Sequence, residues 1–310
     1  MSQKIAILTS GGDAPGMNNA ISAIIKHAIS NNIVPYIVKD GYYGLVNNMI
    51  EQTNIEFANS IINRGGTAIG TSRFKEFIDE TVRQKGIDNL KKLEIKDLIV
   101  IGGDGSYHGA SKLQAMGLNC IGLPGTIDND VVSSDKTIGF DTAINTVIDA
   151  IDRIRDTNQS HHRCGIIEVM GRNCGHIAFI SGHGSGAEIV STSENKLSEN
   201  EIIAKAKQLY EQKNRSVIVV VSENLYDVNE LAKQIEVGSG YVTRATVLGQ
   251  IQRGGKPSAN DRFLASWMGR TAVEQILLGN SGVCIGLDGG DLKTYRFKEA
   301  LTMKNKPLKF

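Results

Sequence analysis

Three glycine-rich turns contain the residue types that phosphate chemistry uses. The first, Thr9–Asn18, reads TSGGDAPGMN, and the second, Gly102–Ser106, reads GGDGS. Adjacent glycines let backbone N–H groups approach a phosphate, and a helix that begins after such a turn adds the positive end of its dipole. Asp104 offers a carboxylate oxygen, the ligand type that Mg²⁺ prefers. Taken singly, each turn also fits an ordinary connection, with Asp104 as a helix cap.

The third turn, Pro124–Asp130, contains two carboxylates two residues apart, Asp128 and Asp130. One carboxylate can accept the proton of an attacking hydroxyl while the other helps to hold a metal ion, as phosphoryl transfer requires. The alternative is a pair of solvated turn aspartates. That alternative is weakened because this turn follows the same kind of apolar run as the other two.

Five arginines stand beside glycine or at the ends of apolar runs. They are Arg73, Arg163, Arg172, Arg244 and Arg253. A guanidinium group binds phosphate through two parallel hydrogen bonds and keeps its charge. The formal net charge is +1 and the other basic residues are scattered, so we expect local anion sites and no nucleic-acid partner.

The elements that would position these residues alternate between apolar runs and amphipathic segments. Continuous apolar runs predict buried parallel strands covered by helices on both faces, an α/β fold whose ligands bind at the carboxyl ends of the strands. The predicted strands are Ile5–Leu8, Ile33–Val38, Leu98–Ile101, Cys120–Leu123, Gly165–Val169, Val217–Val221 and Val283–Leu287. The predicted helices include Asp141–Asp156, Ser198–Gln212, Val228–Ile235 and Asp261–Leu278. Ser198 and Glu201 form a capping-box pattern.

With 310 residues, 41% of them hydrophobic and 22% charged, the chain fits a globular protein of two lobes. We find no apolar leader and no membrane-spanning run, so we expect a cytoplasmic protein without a membrane partner. The four cysteines form no C-x-x-C pair and are predicted to be reduced, buried thiols. The histidines show no metal-ligand spacing supported by cysteine and are predicted to be structural or surface residues: His27, His108, His161, His162, His176 and His183.

Several longer segments accompany the three turns. They are Asn63–Gly66, Ile138–Ala143, Ile167–Arg172, Thr246–Gly249 and Gln252–Gly255. Together they make the sequence similar to the ATP-dependent 6-phosphofructokinases of the bacterial type over nearly the whole chain. The resemblance implies two doubly wound α/β lobes with the active site in the cleft between them. The larger, ATP-binding lobe would contain residues 1–139 and 252–300, and the smaller, fructose 6-phosphate-binding lobe residues 140–251 and 301–310.

The resemblance also implies roles in the phosphorylation of the fructose 6-phosphate 1-hydroxyl by ATP. Asp128 would accept the hydroxyl proton, with Thr126 and Arg172 as further catalytic residues. Asp104 would hold Mg²⁺, with Asp130 nearby. The implied ATP-binding residues are Gly12, Arg73, Phe74, Gly103, Asp104, Gly105 and Ser106. The implied sugar-binding residues are Thr126, Ile127, Asp128, Arg163, Met170, Gly171, Arg172, Glu223, Arg244, Gln250 and Arg253.

Members of this family associate, typically as homotetramers with shared active sites. Arg163 and Arg244 would reach the sugar phosphate of a neighbouring subunit. A cationic cleft between subunits binds ADP or phosphoenolpyruvate as effector in the family. The residues of that cleft that remain here are Lys26, Arg155, Gly186, Glu188 and Arg215.

The sequence departs from the family at two places. Gln250 replaces a histidine that contacts the sugar phosphate, and an amide cannot carry positive charge. Four cations of the effector cleft are replaced, by Ser22, Ile55, Gln212 and Asn214, so we expect weakened allosteric control.

Other classes of protein share parts of this pattern. Pyrophosphate-dependent phosphofructokinases carry aspartate and lysine in place of Gly105 and Gly125, so the two glycines favour ATP. Lipid and NAD kinases share the Gly-Gly-Asp-Gly turn but not the loop Thr126–Asp130 together with the arginine set. A nicotinamide dehydrogenase would require G-x-G-x-x-G after the first strand. A non-catalytic sugar-phosphate sensor stays open as an alternative, although the acidic residues needed for chemistry are present.

Overall fold

The structure, a computed structural model, describes residues 3–303, and the chain divides into two compact units. The first unit contains the described residues up to Asp141 and from Arg253 onward, and the second contains Thr142–Gln252. Residues 301–303 group with the first unit, whereas we expected 301–310 in the smaller lobe, because Leu301 packs against the apolar core of the first unit. The rest of that segment, residues 304–310, lies outside the described residues.

The first unit is built on a seven-stranded sheet with a parallel centre and an antiparallel strand at each edge. The strands of the chain are β1 (Lys4–Ser10), β2 (Val34–Val38), β3 (Ile50–Gln52), β4 (Asp97–Gly102), β5 (Asn119–Pro124), β6 (Arg163–Val169), β7 (Ile189–Ser191), β8 (Val217–Ser222), β9 (Val242–Val247), β10 (Val283–Asp288) and β11 (Asp291–Arg296). The spatial order in the first unit is β11-β10-β5-β4-β1-β2-β3. The order changes direction between β1 and β4, so the carboxyl ends of these two strands form a topological switch point.

The second unit has its own sheet of four parallel strands in the order β7-β8-β6-β9. Every residue of β8 is buried, as expected for a parallel strand covered on both faces. On one face, Val219 and Val221 of this strand belong to a buried apolar cluster with Leu231 and Ile235 of the following helix.

Helices cover both sheets. They are α1 (Met17–Ser30), α2 (Gly41–Val46), α3 (Ile55–Ile61), α4 (Glu80–Lys92), α5 (Asp104–Ala115), α6 (Phe140–His161), α7 (His176–Gly184), α8 (Glu199–Glu211), α9 (Val228–Ser239), α10 (Ala259–Leu277) and α11 (Phe297–Ala300). In the part of the chain that the structure describes, no helix has the length and apolar character needed to cross a bilayer.

The predicted α/β fold is confirmed, and so is the capping box at the start of α8. The Ser198 side chain accepts the N–H of Glu201, and the Glu201 carboxylate accepts the N–H of Ser198 over 2.7 Å. The predicted helix Asp141–Asp156 is longer than expected, because α6 continues to His161.

Candidate active site

The three glycine-rich turns meet at one edge of the first unit's sheet. Ser10 pairs with Gly102, and Gly102 with Pro124, at the carboxyl ends of β1, β4 and β5. The N–H of Gly125 donates to the carbonyl of Gly102 over 3.0 Å, so the second and third turns begin side by side. The Ser106 hydroxyl donates to the Ser10 carbonyl over 3.0 Å and thereby links the first and second turns. The three strand-end turns therefore lie together within this unit.

A guanidinium group lies over the first turn. A Cβ atom at Gly12 would lie 2.2 Å from Nη1 of Arg253, so the guanidinium occupies the space that a larger residue's side chain would enter. The family resemblance implied that Gly12 binds ATP and Arg253 binds fructose 6-phosphate, and the structure places the two residues against each other. A positive charge thus stands directly at a turn suited to phosphate.

The segment that carries two further predicted ATP-binding residues is fixed to the same turn. The Thr71 hydroxyl donates to the Gly11 carbonyl over 3.0 Å. Arg73, two residues on, is exposed, and the ring of Phe74 packs edge-on against Tyr43 with the ring centroids 5.6 Å apart. The backbone just before Arg73 is therefore anchored at the first turn, while the Arg73 side chain is exposed to solvent.

The second turn leads directly into α5. Gly103 is the N-cap residue and Asp104 the first residue of the helix, so Asp104 is not the helix cap. Its carboxylate is 59% exposed and lies 3.6 Å from Nε2 of His108. Mg²⁺ takes few protein carboxylates and keeps several waters, so an accessible carboxylate beside a phosphate-binding turn fits this ion.

Hydrogen bonds brace the loop that carries the predicted catalytic base, Asp128, and its neighbour Asp130. Asp128 is 5% exposed, and its N–H donates to the Thr126 hydroxyl over 3.2 Å. Asn129 has a positive φ of 54°, and its Oδ1 accepts the N–H of Thr137 over 2.9 Å. The Thr137 hydroxyl donates to the Thr126 carbonyl over 2.6 Å. Asn129 and Thr137 were not predicted, although an asparagine inside an aspartate-rich turn signals a left-handed backbone position.

A second loop lies at the carboxyl ends of the strands of the second unit. Met170–Arg172 follows β6, and Glu223 follows the neighbouring strand β8. One carboxylate oxygen of Glu223 accepts the N–H of Gly171 over 3.1 Å and of Arg172 over 2.7 Å. The side-chain oxygen of Gln252, which was not predicted as a site residue, accepts the N–H of Met170 over 3.1 Å. Because Gly171 and Arg172 both have positive φ, these acceptors hold a turn that the backbone alone disfavours.

Arg163 and Arg244 are not brought to this loop within one chain. Arg163 begins β6, and Arg244 lies near the start of the adjacent strand β9. The length of β6 separates Arg163 from the loop by about 20 Å, at roughly 3.3 Å per residue. Gln250, in contrast, follows the carboxyl end of β9 and is exposed. The members of the predicted sugar set that belong to the second unit therefore divide between the two ends of its sheet.

Most of the retained effector-cleft residues also belong to the second unit. Nη1 of Arg155 lies 3.1 Å from a carboxylate oxygen of Glu188, and Nη2 donates to two backbone carbonyls, one of them that of Gly186. Arg215 donates to a neighbouring imidazole over 3.3 Å. Lys26 lies in the first unit and lines a separate cavity there. The charge of Arg155 is therefore already balanced within the chain.

Burial shifts the pKa of several groups in the second unit. It raises the pKa of Glu168, and the nearby carboxylate of Glu223 adds to the effect. Burial lowers the pKa of His176, against an opposing effect of Glu194. Burial also raises the pKa of the Cys164 thiol to about 12. All four cysteines are buried, as the sequence predicted.

Fold and site together define an α/β phosphate-binding protein whose glycine-rich turns meet at a switch point. The chain belongs to the phosphofructokinase family, since the family model with the description "Phosphofructokinase" matches residues 4–276.

Individual relatives agree with this assignment. The ATP-dependent 6-phosphofructokinase of Spiroplasma citri is 56% identical over 304 residues, which cover 98% of this chain and 93% of that protein. The protein of the same name from Photobacterium profundum is 50% identical over 309 residues, covering 100% of this chain and 97% of that protein.

Solved structures show the same fold. The phosphofructokinase of Saccharomyces cerevisiae matches with a TM-score of 0.90 and 30% identity, over 96% of this chain but only 45% of the longer yeast chain. A pyrophosphate-dependent phosphofructokinase from Marinobacter aquaeolei matches with a TM-score of 0.88 and 22% identity, over 98% of this chain and 86% of that chain.

Proposed function

We propose that this protein is a phosphotransferase that moves the γ-phosphoryl group of ATP to the 1-hydroxyl of fructose 6-phosphate. The products are ADP and fructose 1,6-bisphosphate, a step of glycolysis. The observation that carries the proposal is the meeting of the three strand-end turns, with Asp104 and Asp128 on two of them, at the carboxyl ends of β1, β4 and β5. Relatives that are 50% and 56% identical to this chain are named ATP-dependent 6-phosphofructokinase, the enzyme class that catalyses this reaction.

Asp128 is the proposed general base. A buried carboxylate in a braced loop can take the hydroxyl proton as the oxygen attacks phosphorus, without first losing a disordered water shell. The Thr126 hydroxyl accepts the N–H of Asp128 and so fixes the backbone of the base. Arg172 would stabilise negative charge on the transferred phosphoryl oxygens.

The first unit would hold the nucleotide. Backbone N–H groups of the first and second turns and the N-terminus of α5 suit the phosphates. Asp104 would hold Mg²⁺, which supplies positive charge to the phosphate oxygens when bound. Arg73 and Arg253 would add further positive charge at the first turn.

The second unit would hold the sugar phosphate through Met170–Arg172, Glu223 and Gln250. Arg163 and Arg244 stand at the far end of the same sheet, which supports the proposal that they contact the sugar phosphate of a neighbouring subunit in a homotetramer.

We also propose that the protein acts in the cytoplasm, where the buried thiols of Cys120, Cys164 and Cys284 stay reduced.

Local space supports ATP rather than pyrophosphate as the donor. A Cβ atom at Gly105 would meet no protein atom within 4 Å, so an aspartate there would not disturb the fold and would crowd only a bound nucleotide. A Cβ atom at Gly125 would lie 2.9 Å from side-chain atoms of both Ile101 and Met17. A lysine at this position, as in pyrophosphate-dependent relatives, would require the core beneath it to move.

Control by ADP or phosphoenolpyruvate is proposed to be weak. Four cations of the family's effector cleft are replaced, and Arg155 is already paired with Glu188. A cation that a carboxylate already neutralises attracts a free anion poorly.

The test is a coupled assay of the purified chain with Mg²⁺ and fructose 6-phosphate, comparing ATP with pyrophosphate. We expect turnover with ATP, and a decrease in kcat of about 10²–10⁴-fold in Asp128→Ser. Asp135→Ser, which removes a carboxylate from the same loop, is the matched control and should retain turnover. Turnover with pyrophosphate instead would reverse the donor assignment. Sugar binding without turnover by either donor would favour the sensor alternative.

A further inference from the structure

Three potential metal ligands lie together in the second unit, outside the residues assigned to either substrate. Sγ of Cys174, a ring nitrogen of His176 and a carboxylate oxygen of Glu194 all lie within 4.8 Å of one another. Cys174 and His176 are buried, with 1% and 7% exposure, and Glu194 is exposed, which leaves a path from solvent. We propose that these three side chains form a binding site for Zn²⁺.

The sequence predicted a structural or surface role for His176, and this proposal departs from that prediction. Cys174 and His176 are separated by one residue, which is not a familiar ligand spacing on its own. The third ligand comes from the segment after β7, and only the fold brings it to the start of α7.

Gly175 holds the Glu194 carboxylate beside the other two ligands. Both carboxylate oxygens of Glu194 accept the N–H of Gly175, over 2.9 and 3.1 Å. A Cβ atom at this position would lie 2.2 Å from one of these oxygens and 2.5 Å from Cβ of Thr192, although the Gly175 φ of −84° suits any residue. Glycine is therefore needed here for space. A carboxylate offers about four acceptor positions, so the oxygens can still bind a metal while the amide fixes their orientation.

The chemistry of the three ligands selects the metal. Mg²⁺ and Ca²⁺ prefer sets of oxygen ligands, whereas a thiolate with an imidazole suits Zn²⁺, and three protein ligands plus a water complete a tetrahedral site. One thiolate and one carboxylate balance the two charges of the ion, so the buried site would be neutral. The ligand atoms lie within 4.8 Å of one another, near enough for all three to contact one ion through zinc bonds of about 2.0–2.3 Å.

The proposed site is joined to the turn that carries Arg172. The N–H of Cys174 donates to the carbonyl of Gly171 over 2.8 Å, and Gly171 in turn donates to Glu223. A metal bound at Cys174 would therefore fix one end of this turn while Glu223 fixes the other.

The test measures Zn²⁺ binding to the full chain by equilibrium dialysis, with metal-free protein and no substrate present, so that its outcome does not depend on the proposed function. We expect one Zn²⁺ per chain. Cys174→Ser and His176→Asn should each weaken binding by at least about 100-fold, the upper range for losing even an outer-shell partner. His183→Asn changes a histidine on the same helix that is not a proposed ligand, and it should bind as the wild type does.

Two further measurements keep a folding defect apart from a lost ligand. Co²⁺ added to the wild type should give a thiolate charge-transfer band in the near ultraviolet that Cys174→Ser lacks. Glu194→Gln keeps an oxygen for the Gly175 amide but removes the charge, so it should bind Zn²⁺ more weakly at an unchanged melting temperature. Undiminished Zn²⁺ binding by the folded variants, or no binding by the wild type, would overturn the proposal.

Discussion

The two units fix their functional loops by different means. In the first unit, neutral hydroxyl and amide side chains support turns whose backbones also approach closely, as where a Cβ atom at Gly102 would lie 2.4 Å from the Ser10 carbonyl. In the second unit, side-chain oxygens hold the loops: Glu223 accepts two amides of the turn after β6, and Glu194 accepts the amide of Gly175. The first arrangement has no room for an added atom at Gly102, whereas the second depends on the charge of single residues.

Because of this difference, we expect the two units to respond differently to substitution. Added bulk in the first unit should damage the fold before it damages binding, because close-packed backbone has no room to relax. A lost carboxylate in the second unit should damage the loop while the sheet beneath it stays intact, because the loop amides are its hydrogen-bond partners.

The largest effect is expected from Gly102→Ala. The new Cβ atom would lie 2.4 Å from the Ser10 carbonyl oxygen and 2.3 Å from Oγ of Ser106. Overpacking of this kind lowers the free energy of unfolding by about 1–3 kcal/mol or more. Thermal unfolding should show a clearly lower melting temperature. Gly105→Ala, with no atom within 4 Å of its Cβ, is the matched control, and equal melting temperatures for the two variants would contradict the packing argument.

Substitution of Glu223 is expected to act on sugar binding more than on stability. Glu223→Ala removes the acceptor of the Gly171 and Arg172 amides, and hydrogen bonds to charged groups contribute about 1.5–3 kcal/mol each. We expect the KM for fructose 6-phosphate to rise by at least about 10-fold, with the KM for ATP little changed. Glu223→Gln retains a neutral acceptor and should show a smaller rise.

The variants Glu223→Ala and Glu223→Gln also test the effect of the Glu223 charge on its neighbour Glu168. Because Glu223 is the second cause of the raised pKa of Glu168, Glu223→Gln should lower the pKa of Glu168, which burial would still keep above its ordinary value. A KM for ATP that rises as much as that for the sugar would show that the loop does not belong to sugar binding.

Gln250→His restores the residue that the family carries and should strengthen sugar binding. Replacing a neutral hydrogen bond by a charge-assisted one contributes roughly 1 kcal/mol, or about a 5-fold lower KM. The gain requires the imidazolium, so it should be present below a pH of about 6.5 and disappear as the pH rises above that value. Gln250→Asn is the control, and an unchanged KM in Gln250→His at low pH would contradict the assignment.

The smallest effect is expected from the effectors. Addition of ADP or phosphoenolpyruvate should shift the sugar saturation curve by less than about 2-fold, since Arg155 is already paired and four cations of the cleft are replaced. Glu188→Gln leaves Arg155 without its ion pair and should increase the response to phosphoenolpyruvate. A large shift in the wild type would show that the cleft still regulates the protein.

The interior of both sheets could be predicted from the sequence, and their edges could not. All the predicted strands lie inside a sheet, while β3, β7, β9 and β11, the four edge strands, were missed. Interior strands of a parallel sheet are apolar on both faces and read as continuous runs. Edge strands are short or half exposed: β3 spans Ile50–Gln52, and β11 reads DLKTYR. Their pairing is decided by neighbours that are distant in sequence.

The candidate site shows the same division. The residues that stand on turns after apolar runs, such as Asp104 and Asp128, were identified because strand and turn are both local patterns. Thr137, Gln252 and Glu194 were missed because each one holds a loop from a separate segment. A hydrogen bond between distant segments leaves no periodicity or spacing in the sequence, so these supports are visible only in the fold.

The discontinuous make-up of the first unit has a consequence for biosynthesis. β5 pairs with β10, and α1 packs against α10, although the whole of Thr142–Gln252 comes between these elements in the chain. The ribosome therefore synthesises residues Thr142–Gln252 before it makes α10 and β10, which complete the first unit. Until then β5 is an open sheet edge and α1 has an uncovered apolar face, which are the surfaces on which nascent chains aggregate. We expect chaperone dependence to end only when the final sixth or so of the chain has emerged, since such long-range contacts form late.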